Sequence, residues 1–250
     1  MSLSDDQLDR YARHIILQDI GGAGQQALLG ATIAIIGAGG IGSPAIQYLA
    51  AAGVGTLRLI DDDVVALSNL QRQTLFATAD IGRPKVEVAA ERIAAMNPDV
   101  QVEQITVRVD AVTARDLLEG ADAILDGCDN FTTRLIVSDV ATELHIPLIS
   151  AAVGQFDGQL ATWRGWEKDR ACYRCFVGND PGHADVSCAD QGVLGALTGV
   201  MGSLAAMEAV RAITGFGDDP AGKLLLLDAL SFRFRTINVP KDPGCRCIGA

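Results

Sequence analysis

Four short stretches of this 250-residue chain bring chemically able side chains together. Gly37-Ala38-Gly39-Gly40-Ile41-Gly42 fits GxGxxG, a turn whose backbone amides can approach a phosphate group. The run from Asp61 to Gln73 crowds three acids, Asn69, Arg72 and two glutamines. Its first acid stands 19 residues past Gly42, where a ribose-binding acid belongs in a dinucleotide-type unit. Gly127-Cys128-Asp129-Asn130 follows a further apolar run, while Cys172 and Cys175 are spaced CxxC and Cys245 and Cys247 CxC. The first three stretches could bind and polarise a nucleotide; the cysteines could hold a metal or exchange thiols.

These groups need elements to carry them. Thr32 to Ile36 is apolar and β-branched enough for a buried parallel strand, Gly37 to Gly42 forms the turn, Ser43 to Ala52 a helix, and Thr56 to Ile60 a second strand. Pro84 sits in the first turn of a helix running to about Met96, where it needs no amide proton. Strands are expected at Val102 to Val107, Ala123 to Leu125 and Pro147 to Ser150, and a helix from Asn130 to Leu144. This alternation predicts a doubly wound, mostly parallel, Rossmann-like α/β sheet. Past residue 150, Gly158 to Trp163 and Lys223 to Phe234 read as antiparallel strands, with an apolar helix from Gly192 to Ile213 between them. No Ser- or Pro-rich linker intervenes. The expectation is one domain over residues 1–250, with halves 1–150 and 151–250 on a continuous sheet.

The chain is 49% hydrophobic with 27 glycines, which suits many strand–helix turns. Its net charge of -11 works against nucleic acid or an anionic membrane as partner. No unbroken hydrophobic run reaches the ~18 residues of a membrane span. The start, MSLSDDQLDR, has acids where a secretory signal would be basic and then apolar. A soluble, cytoplasmic protein is expected, in which six cysteines point to metal or redox chemistry ahead of a structural disulfide.

On these grounds the nucleotide stays open. NAD needs few cations, whereas cleaving a triphosphate needs side-chain cations and a metal held by an acid. Arg72, Lys85 and Asp129 could converge at the carboxyl ends of the strands, where ligands of such sheets bind. Each also has an ordinary reading: Arg72 and Lys85 as solvated charges, and the Asp129-Asn130 pair as a helix cap. The chain has no GxxxxGK[ST], so it is no P-loop enzyme.

At these residues the sequence strongly resembles the MoeB/ThiF/HesA family of ubiquitin-activating-like adenylyltransferases. The resemblance spans nearly the whole chain in RYARHIIL, IIGAGGIGSPAIQYLAAAGVG, DDDVVALSNLQRQTLF, IGRPKVE, DGCDN, CYRC and GSLAAMEAVR, in the family's order. It implies an enzyme that binds ATP and Mg²⁺ and adenylylates the Gly-Gly tail of a small ubiquitin-fold sulfur carrier, releasing pyrophosphate. It also implies a homodimer. Gly39 and Gly40 would approach the nucleotide, Asp61 the ribose, and Asn69, Arg72 and Lys85 the phosphates, with Gln73 nearby. Asp129 matches the family's essential acid and would hold Mg²⁺, and Arg13 matches an arginine that reaches into the neighbouring subunit's site. The C-terminal half would then carry the carrier-binding and zinc sites. No sulfur-transfer domain follows before Ala250, so the sulfur donor is expected to be a separate protein. The small subunit of molybdopterin synthase is the first candidate carrier and the thiazole-pathway carrier the second.

Family members carry CxxC at both cysteine positions, and here the second is CxC. Cys172, Cys175, Cys245 and Cys247 suffice for a structural zinc site, against unligated cysteines or a redox pair. Cys188 aligns with a cysteine that forms covalent linkages in related enzymes, and Cys128 reads as a packing residue. Other readings are ATP activation of a tRNA base, a nicotinamide-dependent oxidoreductase and an inactive binding partner. The charge and cysteines disfavour the first, and the cations and Asp129 the other two. Asp62 and Asp63 receive no role.

Overall fold

Ile33 and Ile35 of β1 (Thr32–Ile36) pack on one face of the sheet, and Ala34 and Ile36 on the other. A strand that is apolar at every position belongs at the centre of a sheet covered on both sides. The computed structural model, which describes residues 3–178, 192–245 and 247, places it there. β1 pairs in parallel with β2 (Thr56–Ile60) on one side and β4 (Ala123–Asp126) on the other. β3 (Gln101–Ile105) and β5 (Leu148–Val153) extend the parallel part. The sheet continues antiparallel through β6 (Asp157–Trp163), β7 (Lys223–Asp228) and β8 (Arg233–Asn238), in the order β3-β2-β1-β4-β5-β6-β7-β8. The fold is therefore the mixed α/β sheet the alternation predicts, with its antiparallel strands in the C-terminal half.

Two helical layers cover the sheet. On one face lie α3 (Gly21–Gly30), α4 (Gly42–Ala51), α5 (Lys85–Met96) and the long α9 (Gly195–Thr214). On the other lie α6 (Ala114–Leu118), α7 (Phe131–Glu143) and α8 (Tyr173–Val177). Two short helices, α1 (Asp5–Arg10) and α2 (Ala12–Ile15), begin the chain, and Ser4 closes a capping box on α1. By mean hydropathy α9 is long and apolar enough to cross a membrane, although no unbroken apolar run announced it; half of that window is buried in the fold.

Several boundaries differ from the pattern reading for local reasons. Pro84 is not in the first turn but precedes it, with ψ 132°, because it bridges to Val64 before α5 begins at Lys85. Asn130 stands outside α7 as its cap, its side chain accepting from Thr133 N at 2.8 Å. Lys223 to Phe234 is split by a turn at Ala229–Phe232, with Phe232 at φ +50°, so β8 returns along β7. Helices α1–α3, α6 and α8 are too short or too Gly-rich to declare themselves by periodicity.

Candidate active site

The glycine turn is built by contact as much as by flexibility. Gly37 takes φ +86°, a region that only glycine enters freely. A Cβ on Gly42 would lie 1.9 Å from the Gly37 carbonyl oxygen, so α4 can start there only without a side chain. Gly39 is open: a Cβ would meet only Gln73 Nε2, at 3.7 Å. Gly40 differs, because a Cβ would press on Thr198 of α9 at 3.0 Å. Gly40 thus also seats α9 behind the turn. α4 has no side-chain cap, and its positive end stands at the wall of a cavity of about 830 Å³ lined by Gly39, Gly40 and Ile41.

Asp61 ends β2 beside this turn. Its Oδ2 accepts from Ala38 N at 2.7 Å and its Oδ1 from Asp63 N at 2.9 Å, so the acid fixes both loops. Burial pushes its pKa up, against the pull of Lys85 and the two amides. Lys85, buried at the start of α5, donates to Asp63 Oδ2 at 2.7 Å and lies 3.9 Å from Asp61 Oδ1. Asp63, without a role in the sequence reading, is the partner of that lysine. The turn between them is organised by Asn69, whose Oδ1 accepts from Ala66 N at 3.2 Å, and by Arg72, which donates to Ser68 O at 3.1 Å. Gln73 is buried, and its Oε1 has no hydrogen-bond partner among the described residues. A buried amide oxygen left unpaired costs about 1–3 kcal/mol, which a bound ligand can recover.

The third wall is the loop after β4. Asp126, the last residue of that strand, is wholly buried and pairs with Arg134 of α7 at 3.1 Å. Its Oδ1 accepts from Cys128 N at 3.0 Å, while Arg134 donates to the carbonyl oxygens of Cys128 and Ala151 and to Ser150 Oγ. Both backbone polar groups of Cys128 are thereby clamped, one residue before Asp129. Asp129 is exposed on the cavity wall. Burial pushes the Cys128 thiol well up, which keeps it protonated and suits the packing role read from sequence. The sequence carries a faint signal for Arg134: a cation one turn into an otherwise uncharged helical stretch, TTRLIVS.

One cavity therefore gathers Gly39, Gly40, Asp61, Asn69, Arg72, Gln73, Lys85 and Asp129. It is also lined by Arg108, Arg134, Asp157 and Tyr173, which sequence reasoning missed. Arg13 is exposed on α2 and does not line this cavity, and Cys188 and His183 lie outside the described residues.

The cysteines converge at a separate place. Cys172 Sγ lies 3.7 Å from Cys175 Sγ, 3.7 Å from Cys245 Sγ and 3.4 Å from Cys247 Sγ. A disulfide would need ~2.05 Å, whereas four sulfurs at ~2.3 Å around a tetrahedral zinc stand about 3.8 Å apart. The sulfurs of Cys172, Cys245 and Cys247 all lie within 4.8 Å of one another, so these three could hold that ion, with Cys175 beside Cys172, and the CxC pair reaches the cluster with both its thiols. Cys245 is pushed up to about 11, first by burial, and the hydrogen bond shared with Cys172 holds Cys247 below its ordinary value. This cluster is a proton-sharing set of thiols that a metal would ionise.

Comparison with known proteins agrees with this arrangement. A family model described as ThiF family matches residues 11–247. The chain is 43% identical over 250 residues to the SAMP-activating enzyme E1 of Haloferax volcanii, covering 100% of this chain and 92% of that one. It is 43% identical over 248 residues to the sulfur carrier protein ThiS adenylyltransferase of Escherichia coli, covering 99% and 97%. Against the molybdopterin-synthase adenylyltransferase of the same organism it is 38% identical over 247 residues, covering 99% and 98%. The crystal structure of E. coli MccB with succinimide superposes with a TM-score of 0.84 at 21% identity, over 99% of this chain and 75% of that one, a likeness of fold. The chain belongs to the ThiF family and is, by class, a nucleotidyltransferase.

Proposed function

We propose that this protein uses ATP to adenylylate the C-terminal glycine carboxylate of a ubiquitin-fold sulfur carrier. The observation that carries the reading is the single cavity holding a glycine turn, a ribose-height acid and buried Lys85 on one side and exposed Asp129 on the other. A carboxylate oxygen of the carrier attacks the α-phosphorus, the bond to the bridging oxygen of the β-phosphate breaks, and pyrophosphate leaves. Both reactants are anions, so catalysis consists of screening charge and holding them in line. Gly39 admits the phosphates, Asp61 accepts from the ribose hydroxyls, and Asn69, Arg72 and Lys85 bind the phosphates, with the amide of Gln73 beside them. The cavity is lined by Arg72, Lys85, Arg108 and Arg134 but also by Asp61, Asp62, Asp63, Asp129 and Asp157, so its own field does not favour a triphosphate. Asp129 would hold Mg²⁺, which when bound would neutralise phosphate charge. Arg13, outside the cavity of its own chain, would serve the site of a second copy in a homodimer. The four cysteines hold structural zinc, and a separate protein donates sulfur to the adenylate.

The carrier is either the small subunit of molybdopterin synthase or the thiazole-pathway carrier. The higher identity to the ThiS adenylyltransferase, 43% against 38%, favours giving the second equal standing. ATP–pyrophosphate exchange measured with each carrier tests the reading. Exchange should depend on one carrier and vanish when its final glycine is removed. A protein that binds Mg-ATP but exchanges with none of them would not be a carrier-activating enzyme.

A further inference from the structure

One five-residue helix joins the cysteine cluster to the cavity. Cys172 is the N-cap residue of α8 and Cys175 lies within it, so half of the thiol cluster is built into its backbone. Tyr173, Phe176 and Val177 of the same helix line the cavity. A helix this short has no stability of its own, and its place is set by what holds it. Arg174 pairs with Asp139 of α7 at 2.6 Å, but on a largely exposed surface where such pairs contribute little. Trp163 stacks on Phe176 with centroids 6.1 Å apart and meets Tyr173 edge-on at the same separation. Tyr173 is buried in the core of this face, with Phe176 and Val177 packed against it. The cluster adds a tie of another kind, fastening α8 to the C-terminal segment through Cys245 and Cys247; there Asp242 N also donates to Cys175 Sγ at 3.4 Å.

The residues assigned above to the nucleotide and those of α8 lie toward different ends of the cavity. The ribose acid and glycine turn sit at β2 and β1, whereas Ala152–Gly154 and Asp157 line it at β5 and β6. Four strand spacings separate β2 from β6, about 19 Å at ~4.8 Å each. α8 packs on α7 and against Trp163 of β6, on the far side from Asp61. With ribose and phosphates held at β2 and β1 as proposed above, the acceptor would reach the α-phosphate from this end.

We propose that a metal at Cys172, Cys175, Cys245 and Cys247 positions α8 as a wall of the acceptor end of the cavity, so that Tyr173 and Phe176 contact the incoming carboxylate tail. The cysteines act as positioning residues for acceptor binding, and the nucleotide end does not depend on them. The identity of the acceptor rests on the function proposed above; the coupling between metal and α8 does not.

Trp163 supplies a direct readout. In a Trp166→Phe background it is the sole tryptophan of the chain. Stripping zinc with a chelator should shift Trp163 emission to the red as Phe176 leaves it, and adding Zn²⁺ back should reverse the shift. The Kd of a non-hydrolysable ATP analogue should move less than about twofold, while the KM for a Gly-Gly carrier in pyrophosphate exchange rises about tenfold or more. Phe176→Ala, which keeps all four thiols and the zinc, should reproduce the rise in carrier KM at unchanged KM for ATP. Unchanged Trp163 emission and carrier KM after stripping would overturn the proposal. So would loss of analogue binding in proportion to carrier binding, or a Phe176→Ala enzyme with parental carrier KM. If the zinc-loaded protein exchanges with no carrier, the carrier reading fails, and the Trp163 response still decides the coupling.

Discussion

Arg134→Met should destabilise the protein by about 4 kcal/mol, although no sequence motif marks this residue. The guanidinium is almost fully buried and serves four acceptors: Asp126 Oδ2, Ser150 Oγ and the carbonyl oxygens of Cys128 and Ala151. Removing one partner of a buried ion pair costs about 3–5 kcal/mol, because the other charge is left without compensation. Methionine fills much of the volume, so the loss is electrostatic rather than a cavity. For a chain of this size ~1 kcal/mol moves the melting midpoint by ~2–4 °C, giving a fall of roughly 8–16 °C. The assay is thermal and urea unfolding of the parent, Arg134→Met, Asp126→Asn and the double variant at neutral pH. The double variant buries no charge, so it should be more stable than the sum of the singles by at least ~1 kcal/mol. An Arg134→Met protein melting within about 2 °C of the parent, with additive singles, would refute the claim that this pair braces the loop carrying Asp129.

Three further predictions concern the reaction. Lys85→Met should lower pyrophosphate exchange by about a hundredfold or more in the protein that remains folded, as for loss of a charge-stabilising group, and its melting point should also fall because the largely buried Asp61 side chain loses its cation. Asp63→Asn should leave exchange within a few-fold of the parent in the same assay, because on the proposed reading phosphate would replace Asp63 as the partner of Lys85. Arg13→Ala and Asp129→Ala should each be inactive alone, and mixing them under subunit exchange should restore activity, since one site of the mixed dimer holds both native groups. Proven exchange without recovery would remove Arg13 from action across the dimer.

What was legible from sequence follows from how far each constraint reaches along the chain. β1, the glycine turn, α4 and β2 were readable because strand period, positive φ and the close approach of Gly42 to Gly37 are all set within a few residues. Asp61 was readable by its offset from that turn. Asp62 and Asp63 could not be told apart, because the distinction lies with Lys85, which meets Asp63 only once Val64 bridges to Pro84. The same holds for Arg134, whose partners come from two separate stretches, and for Gly40, whose contact is Thr198 on a helix more than 150 residues away.

The CxC spacing illustrates the limit from the other direction. By sequence it left zinc open against redox or unligated thiols, since one residue fewer narrows the loop on which two ligands must diverge. The structure supplies the curvature just upstream instead: Asp242 Oδ1 accepts from Gly244 N at 2.7 Å and Asp242 O from Cys245 N at 2.9 Å, a tight turn that aims Cys245 at Cys172. The Cys247 sulfur lies 3.4 Å from that of Cys172. Counting residues between ligands measures a loop's length, but a metal site asks only where the sulfurs end, and the turn at Asp242 makes up what the shortened spacing lacks.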